Sequence, residues 1–311
     1  MRSRLFTFSV ILAAVTLLLV LAGGLVTSHD AGLAVPDWPL SYGRFFPPMV
    51  GNIFWEHGHR MIAGCVAVLT LVQAILIQRS RHAGWLKRLA WISVGAVVLQ
   101  ALLGGLTVLF LLPAPVSIAH ACLAQTFFCW VAVLSYFLSV SDTGPPQESF
   151  ASEGSKESSN AVPSTAIHDG LRMTKSLFRL SLMTAAFIYL QLIFGATIRH
   201  TGHGVVPHVA VAFLVALHVF FLLIRVSNFF YFDRALRWFA YQLGFLTLFQ
   251  IFLGMGAFIF TRMLQQSQDR PSSPEVFFTA AHQTTGALVL ATSVLLVLIS
   301  HARTRAPQMQ P

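Results

Sequence analysis

Residues 5–27 read Leu5-Phe-Thr-Phe-Ser-Val-Ile-Leu-Ala-Ala-Val-Thr-Leu-Leu-Leu-Val-Leu-Ala-Gly-Gly-Leu-Val-Thr27, 23 positions without a charged side chain. A helix of about 20 such residues crosses the ~30 Å hydrocarbon core of a bilayer. Arg2 and Arg4 ahead of the run mimic the basic start of a signal peptide. The run is too long for a signal core, and its end recurs mid-chain, so it reads as a retained membrane helix. Seven further runs qualify, at 53–77, 89–111, 116–139, 177–198, 206–225, 236–260 and 276–300. Composition agrees: of 311 residues 10% are charged, 56% are hydrophobic, and mean hydropathy is +0.71. Ordinary globular chains carry about 25% charged residues. A soluble fold of this size has no way to hide so much apolar surface.

The net charge of +9 is topological information and not a nucleic-acid patch. With the N-terminus in the cytoplasm, 15 of the 20 Lys and Arg fall in cytoplasmic segments; the exceptions are Arg44, Arg60, Arg199, Arg262 and Arg270. Both termini are therefore expected in the cytoplasm. Trp55, Trp85, Trp91 and Trp238 stand near span ends, where interfacial anchors belong. Cys65, Cys122 and Cys129 lie inside apolar runs without metal-ligand spacing and read as small buried side chains. Residues 141–175 are rich in Ser, Pro, Gly and Glu and read as a flexible cytoplasmic linker between two sets of four spans.

The two sets resemble each other. Gly23-Gly24-Leu-Val-Thr27-Ser28-His29 closes the first span, and Gly195-Ala196-Thr-Ile-Arg199-His200 closes the fifth. A Gln-x-x-x-Gly step recurs as Gln100 to Gly104, Gln191 to Gly195 and Gln250 to Gly254, and a small residue at such a place permits close helix approach. Order and direction are kept, which suggests duplication of a four-helix unit. The expected fold class is an all-α integral membrane protein, eight transmembrane helices arranged as two pseudo-symmetric four-helix bundles. Its domains are 1–140, the linker 141–175, and 176–311. Four spans per unit preserve orientation, so the pseudo-twofold axis should follow the membrane normal.

Ionisable groups inside spans are costly and are functional candidates. His59, His120, His208 and His282 fall near the outer ends of the four even-numbered spans. The repeat pairs His59 with His208 and His120 with His282, so each half offers two imidazoles across a bundle. That is the donor set for bis-histidine ligation of a haem iron. Zinc would call for three or four converging ligands, and no cysteine joins these histidines. Glu56 has no counterpart beside His208. Glu56 shares a helix face with His59 and stands four residues before Arg60, so a structural ion pair competes with a proton-handling role. His218 lies deeper and is the weaker ligand; His29, His200 and His203 are placed in outer loops.

At these residues the chain resembles the heme A synthase family. Gly32-Leu-Ala-Val-Pro-Asp37-Trp38-Pro39 is similar to the family's Gly-Leu-x-x-Pro-Asp-Trp-Pro signature, followed by Glu56-x-x-His59-Arg60 and by the three further histidines. The resemblance implies haem b as cofactor on His208 and His282, and haem O as substrate between His59 and His120 with Glu56 assisting catalysis. The reaction implied is oxidation of the C8 methyl group of haem O to the formyl of haem A, through hydroxylated forms. Heme O synthase, a membrane farnesyltransferase, is the implied partner, with an unidentified electron donor or acceptor. The long tail of haem O would lie in membrane lipid, and the Asp37-Trp38 loop is either a lid or a rigid interfacial turn. The cysteine pair that some members carry in this loop is absent here, and Thr27 stands opposite Arg199 in the repeat. The N-terminus has no transit-like character, which fits a bacterial inner membrane. A dihaem b-type cytochrome passing electrons, or a haem transporter or chaperone, would use the same histidines.

Overall fold

The computed structural model describes residues 4–142, 164–264 and 270–305. Among the described residues there are eight helices long and apolar enough to cross a membrane. They are α1 (Arg4–Ser28), α2 (Asn52–Arg79), α3 (Gly84–Leu109), α4 (Ala114–Asp142), α5 (Ser164–Thr201), α6 (Val205–Phe229), α7 (Arg234–Phe258) and α8 (Ser273–Arg305). Every apolar run from the sequence lies within one of them, apart from the last residues of the third and seventh. The helices overrun the apolar runs because basic ends such as Arg79, Lys87 and Arg234 keep the helical backbone while standing at the interface. Most of the expected linker, 143–163, lies outside the described residues. Its last part is helical, since α5 already begins at Ser164. An even number of spans puts both ends of the described chain on one side of the membrane, here termed the terminal side.

Within the first half α1 packs on α2, α2 on α3, α3 on α4 and α4 on α1, closing a four-helix ring. The same neighbour order recurs in α5 to α8. The rings meet where α1 and α4 contact α8 and where α4 contacts α5. Half of α4's most apolar stretch and 56% of α8's is buried, against 22–28% for the other six helices, so these two form the centre. Lipid supplies no hydrophobic drive between helices, so close packing must hold them. The largest apolar cluster fills the second ring and reaches across the seam to Val20, Phe128 and Cys129.

Buried hydroxyls add polar ties. Ser9 of α1 bonds Ser135 of α4 at 2.7 Å, and Ser181 of α5 bonds Ser300 of α8 at 2.8 Å. At the start of α7 the Asp233 side chain accepts from Ala235 N and Leu236 N, and Arg303 at the end of α8 donates to its other oxygen at 2.6 Å. All three cysteines are unpaired; Cys129 is buried and Cys65 exposed.

The halves differ on the side away from the termini. The α1–α2 connection is the long segment 29–51, whereas α5 and α6 are joined by 202–204 alone. Gly204, with φ of 100°, makes that short turn in a backbone region open to glycine. Arg262, in the π-helical turn Ile259–Met263 that extends α7, donates to the Gly202 carbonyl at 2.5 Å and closes this end of the second ring.

Candidate functional site

The four even-numbered helices each carry their histidine three to nine residues from their first residue, on the long-loop side. Each imidazole is half-buried and packs against a glycine of the preceding helix. Gly23 of α1 faces His59, Gly104 of α3 faces His120, Gly195 of α5 faces His208, and Gly254 of α7 faces His282. A Cβ at these positions would stand 3.1, 3.0, 3.3 and 2.8 Å from the ring Cε1, in that order. In three of the four pairs the Gln-x-x-x-Gly step thus seats an imidazole, not only a neighbouring helix; before Gly23 the corresponding residue is Leu19. The glutamine has its own task in two cases: Gln100 Nε2 donates to the His120 carbonyl (3.0 Å), and Gln250 Nε2 to that of His282 (2.9 Å).

The Nδ1 edge of each ring is turned to the preceding helix. His282 Nδ1 bonds the Gln250 carbonyl at 3.1 Å. Those of His59, His120 and His208 are sealed from solvent and lie toward the carbonyls of Leu19, Gln100 and Gln191, outside full hydrogen-bond geometry. With Nδ1 turned to the preceding helix, Nε2 is the ring nitrogen that could take a ligand. In the second ring the His208 and His282 ring centroids are 6.2 Å apart with planes at 68°. Imidazole–metal bonds of about 2 Å place the centroids of two rings on opposite sides of one ion about 6 Å apart. This pair therefore fits a bis-histidine haem. Among the described residues no three of His, Cys, Asp and Glu converge.

The first ring has the same histidine–glycine pairs but a different cover. Glu56 is buried; its Oε2 accepts from Val35 N (2.7 Å) and its Oε1 from Arg60 Nη2 (2.5 Å). Arg60 Nη1 also donates to the carbonyls of Asp37 (2.7 Å) and Leu40 (2.8 Å). His57 Nδ1 bonds Ser41 Oγ at 2.8 Å. Three side chains of one helical turn thus hold the loop 34–41. Trp38 lies flat against α3 at Gly105, where a Cβ would come within 2.7 Å of the indole. The loop is also tied to itself: Asp37 accepts from Tyr42 N (2.6 Å) and Gly43 N (2.8 Å), and Tyr42 OH donates to the Ala34 carbonyl. The Gly43 N–H, aided by that of Tyr42 and by Arg60, holds the Asp37 carboxyl below its usual range against the opposing effect of desolvation. The loop is a self-bonded turn seated on α2 and α3.

His29 lies in the outer loop as expected, whereas His200 does not. His29 stacks on Trp55, with centroids 4.2 Å apart, and burial pushes its imidazole below the usual range against the opposing charge of Asp30. His200 belongs to the last turn of α5, not to a loop. Arg199 beside it reaches across the seam to Ser28 Oγ at 2.6 Å, and Ser28 bonds Thr279 of α8. His218 bonds the Leu214 carbonyl and sits away from the pair.

Residues 50–210 match the cytochrome oxidase assembly protein family. The chain belongs to that family. The matched stretch holds Glu56, His59, His120 and His208, and His282 lies beyond it. The chain is similar to the heme A synthase of Bacillus pumilus, 30% identical over 204 residues, 65% of this chain and 60% of that protein. It is similar to that of Methylobacterium sp., 33% identical over 131 residues, 38% and 36% of the two chains. The heme A synthase of Bacillus licheniformis is 34% identical over 143 residues, 45% and 47%. The chain thus spans about 60% or less of the length of these curated relatives.

Proposed function

We propose that the chain is a heme A synthase, a membrane oxidoreductase that takes haem O as substrate. It oxidises the C8 methyl group to a formyl through hydroxylated forms and so delivers haem A for terminal oxidases. The observation that carries this reading is the histidine–glycine constellation repeated in both rings, covered by a pinned loop in the first ring only, within a chain of the cytochrome oxidase assembly family. Residues 176–311 hold haem b on His208 and His282. Residues 1–140 take the substrate, with His59 and His120 on either side of its iron.

Haem b, when bound, supplies one-electron redox chemistry. The remaining work belongs to the chain. His59 and His120 fix the plane of the substrate macrocycle through Nε2, and Gly23 and Gly104 let the rings sit close to their helices. Glu56 is the one buried acidic side chain among the described residues; oriented by Val35 N and Arg60, it is the proton acceptor of this pocket. The Asp37-Trp38 loop excludes water from the outer mouth. The lipophilic tail of haem O lies against membrane lipid. Heme O synthase is the supplier of the substrate, and a separate redox partner exchanges electrons with the protein. The protein sits in a bacterial inner membrane with both termini cytoplasmic, as the distribution of Lys and Arg supports.

The test is co-expression with a heme O synthase in a host lacking haem A, then chromatography of extracted haems with mass detection. A formyl-bearing haem A peak or its hydroxylated precursor is the expected result. Haem O and haem b alone, with a low-spin bis-histidine spectrum, would leave an electron carrier in place of the enzyme.

A further inference from the structure

On the terminal side, away from the histidines, α5 and α6 part to form a cleft of 510 Å³ whose walls include Arg179, Met183, His218, Phe221, Arg225 and Phe229. Its depth follows from helix geometry. Arg225 lies 20 residues after Val205, and Arg179 lies 22 residues before Thr201. At 1.5 Å per residue both stand about 30 Å from the far ends of their helices, the thickness of the hydrocarbon core. The two guanidiniums are therefore at headgroup level. His218, seven residues before Arg225, is about 10 Å deeper, with its Nδ1 already spent on the Leu214 carbonyl.

The cleft changes character along its length. At the headgroup level Arg225 Nε is sealed from solvent without a hydrogen-bond partner, and neither arginine has a carboxylate partner among the described residues. With no carboxylate beside them, the two guanidiniums leave positive charge at the mouth of the cleft. Arg172 and Lys175, exposed on the preceding turns of α5, add positive charge on the same side. Deeper in, Met183 and Phe221 present exposed apolar walls. A small anion would satisfy the arginines and leave those walls uncovered. An anion that carries an acyl chain satisfies both.

We propose that this cleft binds an anionic phospholipid, its phosphate on Arg179 and Arg225 and one acyl chain along Met183 and Phe221 toward His218. Basic pockets between membrane helices at headgroup level are suited to such ligands. The site is independent of the haem reading, since none of its residues touches the histidine pairs.

The test uses the purified full chain in neutral detergent. Phosphatidylglycerol, phosphatidylcholine with identical chains, and inorganic phosphate are added separately, and binding is followed by native mass spectrometry and thermal unfolding. The expected result is retention of phosphatidylglycerol about tenfold or more above phosphatidylcholine, with no protection by phosphate. Arg225→Gln should remove the preference, as should Met183→Trp, which fills the apolar wall without touching a charge; bound haem should be unchanged in both. Arg179→Gln, at an exposed position, serves if Arg225→Gln fails to fold. Equal retention of the two lipids, protection by phosphate matching that by the lipid, or an undiminished preference in the variants would each overturn the proposal.

Discussion

The tightest of the four histidine–glycine contacts makes a quantitative test of those pairs. A Cβ on Gly254 would stand 2.8 Å from Cε1 and 3.2 Å from Nδ1 of His282. Non-bonded carbons settle at about 3.5–4.0 Å, so Gly254→Ala requires the ring to retreat by about 0.7 Å or more. Its Nδ1 is bonded to the Gln250 carbonyl, so the retreat also disturbs the contact that aims Nε2. Ligand positions tolerate displacements of about 0.5 Å before a site degrades. Overpacking of this kind costs about 1–3 kcal/mol, or about 5- to 150-fold in haem affinity if the ring bears all of it. At Gly195 the same Cβ would be 3.3 Å from His208 Cε1, and a shift of about 0.2 Å suffices. The assay is haem per protein at limiting haem, with reduced-minus-oxidised spectra. Gly254→Ala should lose most of its haem, and Gly195→Ala little. Gly58→Ala and Gly64→Ala, whose Cβ would meet nothing within 4 Å, are the controls and should leave haem unchanged. Full haem with an unaltered low-spin spectrum in Gly254→Ala, or a greater loss in Gly195→Ala, would refute the reasoning.

His208→Ala and His282→Ala should each remove the resident haem, whereas His59→Ala and His120→Ala should keep it and make no haem A, as read from extracted haems. Glu56→Gln should abolish haem A formation with the bound-haem spectrum intact; surviving activity would strip Glu56 of its proton-accepting role. The Asp37 carboxyl is held below its usual range by backbone N–H groups, so its contribution to loop order is complete above about pH 4, the ordinary value. It is lost only as pH falls through the lowered one. Amide exchange at Tyr42 and Gly43 should stay slow down to about pH 4 and quicken in stronger acid. Asp37→Asn should exchange fast at neutral pH, and fast exchange of the unaltered chain above pH 4 would count against the turn as the source of order.

The eight spans were legible because lipid leaves a helix few alternatives: the backbone must satisfy itself, and the side chains facing outward must be apolar. Their ends were less so, since Arg79 or Lys175 can continue a helix while reaching for water. The four histidines were legible through the repeat, which turned scattered residues into pairs. Their relation to Gly23, Gly104, Gly195 and Gly254 was not, because spacing along one helix does not say which neighbouring helix a glycine faces. The doublet Gly104-Gly105 makes the point: one residue seats His120 and the next seats Trp38 from the outer loop. An ion pair of Arg60 with Glu56 was one of two readings, and the pair is present, but the grip of Arg60 on the carbonyls of Asp37 and Leu40 exists only once the loop folds back. The same limit applies to His29, whose stacking on Trp55 depends on the approach of α1 to α2.

The difference between the rings bears on which one holds substrate. Their histidine–glycine pairs are alike, so ligation alone does not distinguish them. Their covers do. In the second ring a three-residue turn is fastened by Arg262 to the end of α7. In the first, a long loop is held by Glu56, His57 and Arg60 of a single helical turn. Hydrogen bonds to charged groups contribute about 1.5–3 kcal/mol each, so several of them make the loop move as a unit or not at all. A resident cofactor needs no such device, since it is bound once and kept. A substrate must be enclosed for reaction and then released, and its cover must sense the occupancy of the site beneath. Glu56 and Arg60 sit three residues before and one residue after His59, so under the proposed ligation a shift of the His59 ring would reach the residues that hold the loop within about one helical turn. The carboxylate proposed to accept the proton is the same one that anchors Val35, so under that proposal protonation of Glu56 would weaken a contact that holds the loop.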